Sequence, residues 1–134
     1  AFAQYYGGTD LDASTLLMSS LGFIDPRDPR MISTVEQTDR QLKRNGFVYR
    51  YTHEDELGNP DNAFLLCSFW LIDALILMGQ KKKARKYFEE ILAYGTPLGL
   101  FSEHINPVTG ELTGNFPQGY THVAIINTAM LLAR

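Results

Sequence analysis

The chain predicts an all-α fold built from helical hairpins, and three observations point to it. Five segments carry apolar residues at helical spacing. Their faces alternate, apolar nearly all round in one segment and apolar along a single stripe in the next. The connections alternate too: residues 22–28 and 79–80 are short, whereas 45–61 and 95–119 are long. Short turns pair each buried helix with the wet helix after it, which gives two layers of helices, as in a helical solenoid or a closed toroid. Two and a half hairpins make an arc, and the long connections then share one rim.

The first segment, 11–21, places Leu16, Leu17, Met18 and Leu21 before a stop at Gly22. The second opens with Asp28 as N-cap and Pro29 at the first helical position. Met31, Ile32, Val35 and Leu42 form its stripe among Glu36, Gln37, Asp39, Arg40 and Lys43, and Asn45-Gly46 end it. Beyond it, Phe47 to Tyr51 alternate as a short extended piece, with Phe47, Tyr49 and Tyr51 expected on one side and Arg50 on the other. The third segment, 62–78, is apolar on all sides and stops at Gly79, so it reads as buried. The fourth, 81–94, sets Ala84, Tyr87, Phe88, Ile91 and Leu92 against Lys83, Arg85, Lys86, Glu89 and Glu90, with Gly95 as its end. The fifth, 120–133, carries Val123, Ala124, Ile125, Ile126, Ala129, Met130, Leu131 and Leu132, and it also reads as buried.

At 134 residues the chain suits one domain. A net charge of −3 and a single basic cluster, Lys81-Lys82-Lys83, exclude a nucleic-acid footprint, and that cluster reads as a solvated helix start. The lone Cys67 lies in an apolar run, as a buried small hydrophobe, and suits a reducing, cytoplasmic compartment. No basic-then-apolar leader pattern is visible, and the opening residues read like the interior of a protein. The longest apolar run, 63–78, is short of the ~20 residues of a membrane span and contains Asp73, so no membrane partner is expected. His104 and His122 could pair with acids, but no His, Cys, Asp or Glu set has metal-site spacing. Neither a phosphate loop nor a serine nucleophile elbow is present, so no metal and no cofactor are expected.

Loops longer than ~12 residues are usually functional or disordered, and these two hold aromatics that disordered linkers avoid. The site is therefore expected at their rim. Glu103 stands first: a loop carboxylate with apolar neighbours can act as a general base, the alternative being a capping or surface glutamate. Arg50 offers a forked donor set for sugar hydroxyls, against a structural ion pair to Glu54 or Asp55. Glu54, Asp55 and Glu56 read as a solvated loop. Tyr5, Tyr6, Phe116 and Tyr120 could face sugar rings or close the core beneath the loops.

The run Gly99-Leu100-Phe101-Ser102-Glu103-His104, continuing to Gly114-Asn115-Phe116-Pro117-Gln118-Gly119-Tyr120-Thr121-His122, resembles the end of the glucoamylase-like glycoside hydrolases, family 15. Gln4-Tyr5-Tyr6-Gly7, Leu11-Asp12-Ala13-Ser14, Leu21-Gly22-Phe23 and 63–75 look like the same family in the same order, so the likeness covers nearly the whole chain. It implies an (α/α)6 toroid of six hairpins, with residues 1–134 as the C-terminal portion of its catalytic domain. The activity implied is hydrolysis of α-linked glucosides with inversion, the substrate being starch or maltooligosaccharide, glucodextran or trehalose.

The resemblance makes Glu103 the general base and Arg50-Tyr51 a sugar-binding pair; Tyr5, Phe116 and Tyr120 stand as candidate substrate contacts from their place at the rim. Asp61-Asn62 departs from the Glu-Gly that many bacterial relatives carry before the Ala-Phe pair. The family's general acid lies upstream of this segment, so the isolated chain is expected to be inactive, and its partner is the remainder of the parent catalytic domain. An open arc would expose apolar flanks and self-associate. The competing reading is a non-catalytic helical scaffold that binds carbohydrate or protein.

Overall fold

Asp12 and Asp28 open the first two helical elements by the same device. Each side chain accepts the backbone N–H two residues on, from Ser14 at 2.8 Å and from Arg30 at 2.9 Å. Asp12 starts a 3₁₀ turn, Ala13–Leu16, that continues into the short helix α1, Leu17–Ser20. Asp28 starts α2, Pro29–Gln41, with its proline in the first turn as expected. The computed structural model describes all residues except Asp55, Glu56, Leu57 and Asn59, so the expected solvated loop at Asp55 and Glu56 lies outside the described residues.

Asn45 and Gly46 do more than end α2. With φ of 50° and 91° they form a two-residue turn between β1, Lys43–Arg44, and β2, Phe47–Val48, which pair antiparallel. The expected two-sided alternation beyond the turn is absent: Phe47, Val48 and Tyr49 are all buried. β2 packs against α3, and the Val48 N–H donates to the buried Ser68 Oγ at 2.9 Å, so both of its faces are covered.

α3, Leu65–Leu77, is the axis of the fold and touches α1, α2, α4 and α5. Leu65, Phe69, Leu71, Ile72 and Leu75 are closed off from solvent, and burial pushes the Cys67 thiol up from its ordinary value. The helix begins later than expected because Ala63–Phe64 is a strand, β3. β3 pairs antiparallel with β4, His104–Ile105, which pairs with β5, Leu112–Thr113. The two long rim loops are therefore held together by a small sheet that hydropathy did not reveal.

α4, Lys81–Leu92, lays Ala84, Phe88 and Ile91 on the core and keeps its charged face wet. Asp39 of α2 joins the two helices through Lys83, at 2.6 Å, the Tyr87 hydroxyl and Lys43. Burial alone would raise the Asp39 carboxyl, but the two lysines hold it below the usual range. α5, Gly119–Ala133, departs from the sequence reading: Thr121, Ala124, Thr128 and Leu132 are buried, whereas Val123, Ile126 and Met130 are more than half exposed. It rests on α3 and α4 along one side, and among the described residues nothing covers the other. The fold is an arc of helical hairpins of the (α/α)6 kind, with short strands added at the rim.

Candidate active site

Residues 101–104 are clamped from both sides. The Leu65 N–H donates to the Glu103 carbonyl at 3.1 Å, and the Glu103 N–H donates to the Asn115 carbonyl at 2.9 Å. Phe101 and Ser102 beside it are buried, so the glutamate stands on fixed backbone. The first turn of α5 is bolted to the same stretch. The Gln118 N–H donates to the Phe101 carbonyl at 3.0 Å, and the Thr121 hydroxyl to the Ser102 carbonyl at 3.0 Å. His122 completes the joint. Its Nε2 accepts from the Phe101 N–H at 3.2 Å, so Nδ1 carries the proton and donates to the Gln118 carbonyl at 2.7 Å. His122 is thus a structural brace rather than an acid partner.

The Glu103 side chain is about one-fifth exposed. Its Oε1 accepts the Tyr120 hydroxyl at 2.6 Å and its Oε2 accepts the Asn115 N–H at 3.2 Å, with His104 Nδ1 3.8 Å from Oε2. The Tyr120 hydroxyl foremost, then the Asn115 N–H and the His104 ring, hold the carboxyl below its usual range against partial burial. Burial and the hydrogen bond to Glu103 push the Tyr120 phenol up to about 12. Gly114 is required here. Its φ is +75°, and a Cβ would lie 2.7 Å from His104 Nδ1 and 3.1 Å from Glu103 Oε2.

A cleft of about 250 Å³ opens in front of the carboxylate, lined by Arg50, Tyr51, Pro60, Asn62, Phe64, Glu103 and His104. Three of the expected site residues, Glu103, Arg50 and Tyr51, therefore meet in one cavity. Among the described residues Arg50 is paired with Asp12, while Asp55, one of the two partners the sequence suggested, lies outside them. The Arg50 Nε lies 3.4 Å from both oxygens of the buried Asp12, and its carbonyl accepts the Ala13 N–H at 2.8 Å. The guanidinium is tethered at one edge while half of the side chain faces solvent. Tyr51 stacks on His53 with ring centroids 4.5 Å apart.

The other expected contacts are spread. Tyr120 reaches Glu103 through its hydroxyl and packs edge-on to Phe64 at 5.8 Å. Phe116 is half exposed and lies next to the Asn115 clamp, outside the cleft lining. Tyr5 lines a separate hollow formed by 1–8, a stretch tied to α2 by the Phe2 N–H donating to Thr34 Oγ1 at 2.8 Å. Sequence reasoning missed Asp12, Asn62 and Phe64 as cleft residues or their supports. The Asp12-Ala13-Ser14 cap signal was readable, but nothing local to it points 38 residues ahead to Arg50.

A larger groove, about 480 Å³, runs between α1, α3 and α5 and is lined by Leu17, Trp70, Asp73, Val123 and Met130 among others. It is mainly apolar, whereas Glu103, Arg50 and Tyr51 line the smaller cleft. No set of three or more His, Cys, Asp or Glu side chains among the described residues could hold a metal. Nor is any described helix long and apolar enough to cross a membrane.

Residues 1–130 match the glycosyl hydrolases family 15. The chain belongs to that family. It is 41% identical over 136 residues to a trehalase of Mycobacterium tuberculosis, covering 99% of this chain and 20% of that protein. A trehalase of Thermoplasma acidophilum is 42% identical over 130 residues, covering 96% of this chain and 22% of that protein. A solved wild-type glycosidase superposes with a TM-score of 0.83 at 18% identity, over 98% of this chain and 38% of that one. A glycosidase variant in complex with glucose superposes equally well. At that identity the superposition speaks for the fold. The family member described here spans about a fifth of the length of the trehalases it matches.

Proposed function

We propose that this family 15 segment carries the general base of an inverting glycoside hydrolase, and that the base is Glu103. The carrying observation is the carboxylate itself, held ionised by two donors at the edge of a cleft that also contains Arg50. An inverting glycosidase needs one ionised carboxylate to take a proton from water and one protonated carboxyl to give a proton to the leaving oxygen, ~6.5–9.5 Å apart. In this reading Glu103 takes the proton as the water oxygen bonds to the anomeric carbon. The glycosidic bond breaks toward an oxygen protonated by an acid from the remainder of the parent catalytic domain. Residues 1–134 are then the C-terminal part of that domain.

Arg50 and Tyr51 hold sugar hydroxyls, and Phe116 and Tyr5 belong to more distant parts of the substrate path. Among α-linked glucosides, trehalose is the substrate favoured here because the relatives at about 40% identity are named trehalases. Starch, maltooligosaccharide and glucodextran come next. The test is Glu103→Gln in the full-length protein, assayed on trehalose, maltose, starch and isomaltose. The expected result is a loss of ~10²–10⁴-fold in kcat with unchanged folding. Undiminished turnover removes Glu103 from the mechanism. The segment alone, lacking a general acid, is expected to show no turnover and to self-associate through Val123, Ile126 and Met130, which size-exclusion chromatography with light scattering would detect.

A further inference from the structure

Tyr120 lies 17 residues beyond Glu103 on a different element, yet its hydroxyl makes the shortest contact to the carboxylate, 2.6 Å to Oε1. Its position is set independently of that contact. Gln118, Thr121 and His122 bolt the first turn of α5 to residues 101 and 102, and the Tyr120 ring packs edge-on to Phe64. Phe64 in turn sits opposite His104 in the sheet, with ring centroids 5.1 Å apart. Phe64, His104, Glu103 and Tyr120 thus form a closed ring of side chains drawn from β3, the β4 loop and α5.

We propose that Tyr120 is a positioning residue for the base. It holds Oε1 by a fixed O–H donor, while the Asn115 N–H holds Oε2, so that the carboxylate has one orientation toward the cleft. This rests on Glu103 being the base. A carboxylate has about four lone-pair sites, and two donors leave two of them open to accept from water. The O–H donor also favours the charged form over the protonated one. The other groups that face Glu103 are His104 on β4, and Arg50 and Tyr51 across the cleft. The His104 ring acts in the same direction as the hydroxyl. An inverting site works only while the base is ionised and the acid is protonated, so a donor that keeps the base ionised at lower pH widens the working window on its acidic side.

The experiment is a pH profile of kcat and KM for the full-length enzyme carrying Tyr120→Phe, which keeps the ring against Phe64 and removes only the hydroxyl. The expected result is a fall in kcat of ~10-fold or more, a KM within ~3-fold, and an acidic limb displaced to higher pH, because loss of the donor raises the pKa of Glu103. An unmoved acidic limb, or a change confined to KM, overturns the proposal, the second making Tyr120 a substrate contact. Replacement of Tyr120 by 3-fluorotyrosine, a stronger donor of the same shape, covers the case in which the phenylalanine variant does not fold. It is expected to move the limb to lower pH, and no movement overturns the proposal equally. Glu103→Gln run in parallel separates the two ideas: if that variant keeps its turnover, the base assignment itself has failed, whereas an inactive Glu103→Gln beside an unaltered Tyr120→Phe sinks the positioning role alone.

Discussion

Two carboxylates, Glu103 in the smaller cleft and Asp73 in the larger groove, meet opposite fates. Glu103 is on a loop, keeps some access to solvent, and receives a phenol O–H and a backbone N–H. Asp73 is inside α3, deeper, and among the described residues receives only the Thr128 hydroxyl, at 2.6 Å. Burial pushes Asp73 up to about 6 against that single donor, while Glu103 is held below its ordinary value. Donors aimed at the charged form win where desolvation is slight, and desolvation wins where the donors are few. A low pKa suits a base that has to be ionised, and a raised one describes an acid that helix packing tolerates.

Glu103→Gln should have the largest effect on turnover and Asp73→Asn should leave turnover within a few-fold, so equal losses would erase the distinction between the two carboxylates. Gly114→Ala comes next. The substitution forces a side chain into the left-handed region and against Glu103 and His104, and we expect a destabilisation of about 1–3 kcal/mol together with a fall in kcat. Thermal melts and turnover measured on one preparation would check both parts, and an unaffected enzyme would mean that the Glu103 loop is slack.

Asp73 gives a pH prediction of opposite sign to that for Glu103. Its folded pKa, about 6, exceeds the ordinary carboxyl value of 3.8, so the native state binds more protons between those values and stability falls as pH rises through that window. The loss is about 3 kcal/mol at most. Asp73→Asn should flatten that fall in denaturant titrations between pH 4 and 7, and a variant with the original slope would refute the assignment. The smallest effect is expected from Thr128→Val. Removing the one donor should cost about 1 kcal/mol at neutral pH and less at pH 4, again by denaturant titration.

The difference between α4 and α5 follows the same logic of neighbours. In α4 the centre of the apolar stripe, Ala84, Phe88 and Ile91, is buried and only Leu92 at its end is exposed, since charge on the other side leaves one way to pack. In α5 the apolar residues run all round and cannot say which of them meet protein. Val123, Ile126 and Met130 are exposed while Thr121 and Thr128, polar by sequence, are wholly buried. Thr121 and Thr128 are inside because each hydroxyl has a partner, the Ser102 carbonyl and Asp73.

Local chemistry along the chain determined the helical segments, the cap at Asp28, the Asn45-Gly46 break and a buried axis within 62–78, and the likeness of the rim motifs to family 15 singled out Glu103 and Arg50 as the residues to watch. These depend on spacing, cap chemistry and motif, which are properties of neighbours in sequence. Tertiary structure alone decided that Asp12 anchors Arg50, that 63–64, 104–105 and 112–113 form one sheet, and that Tyr120 holds Glu103. Apart from the short hairpin of 104–105 with 112–113, those partners lie 17 to 42 residues apart, and a hydrogen bond between distant residues leaves no periodicity behind. It forms because α3 and the first turn of α5 bring the rim loops within reach of each other.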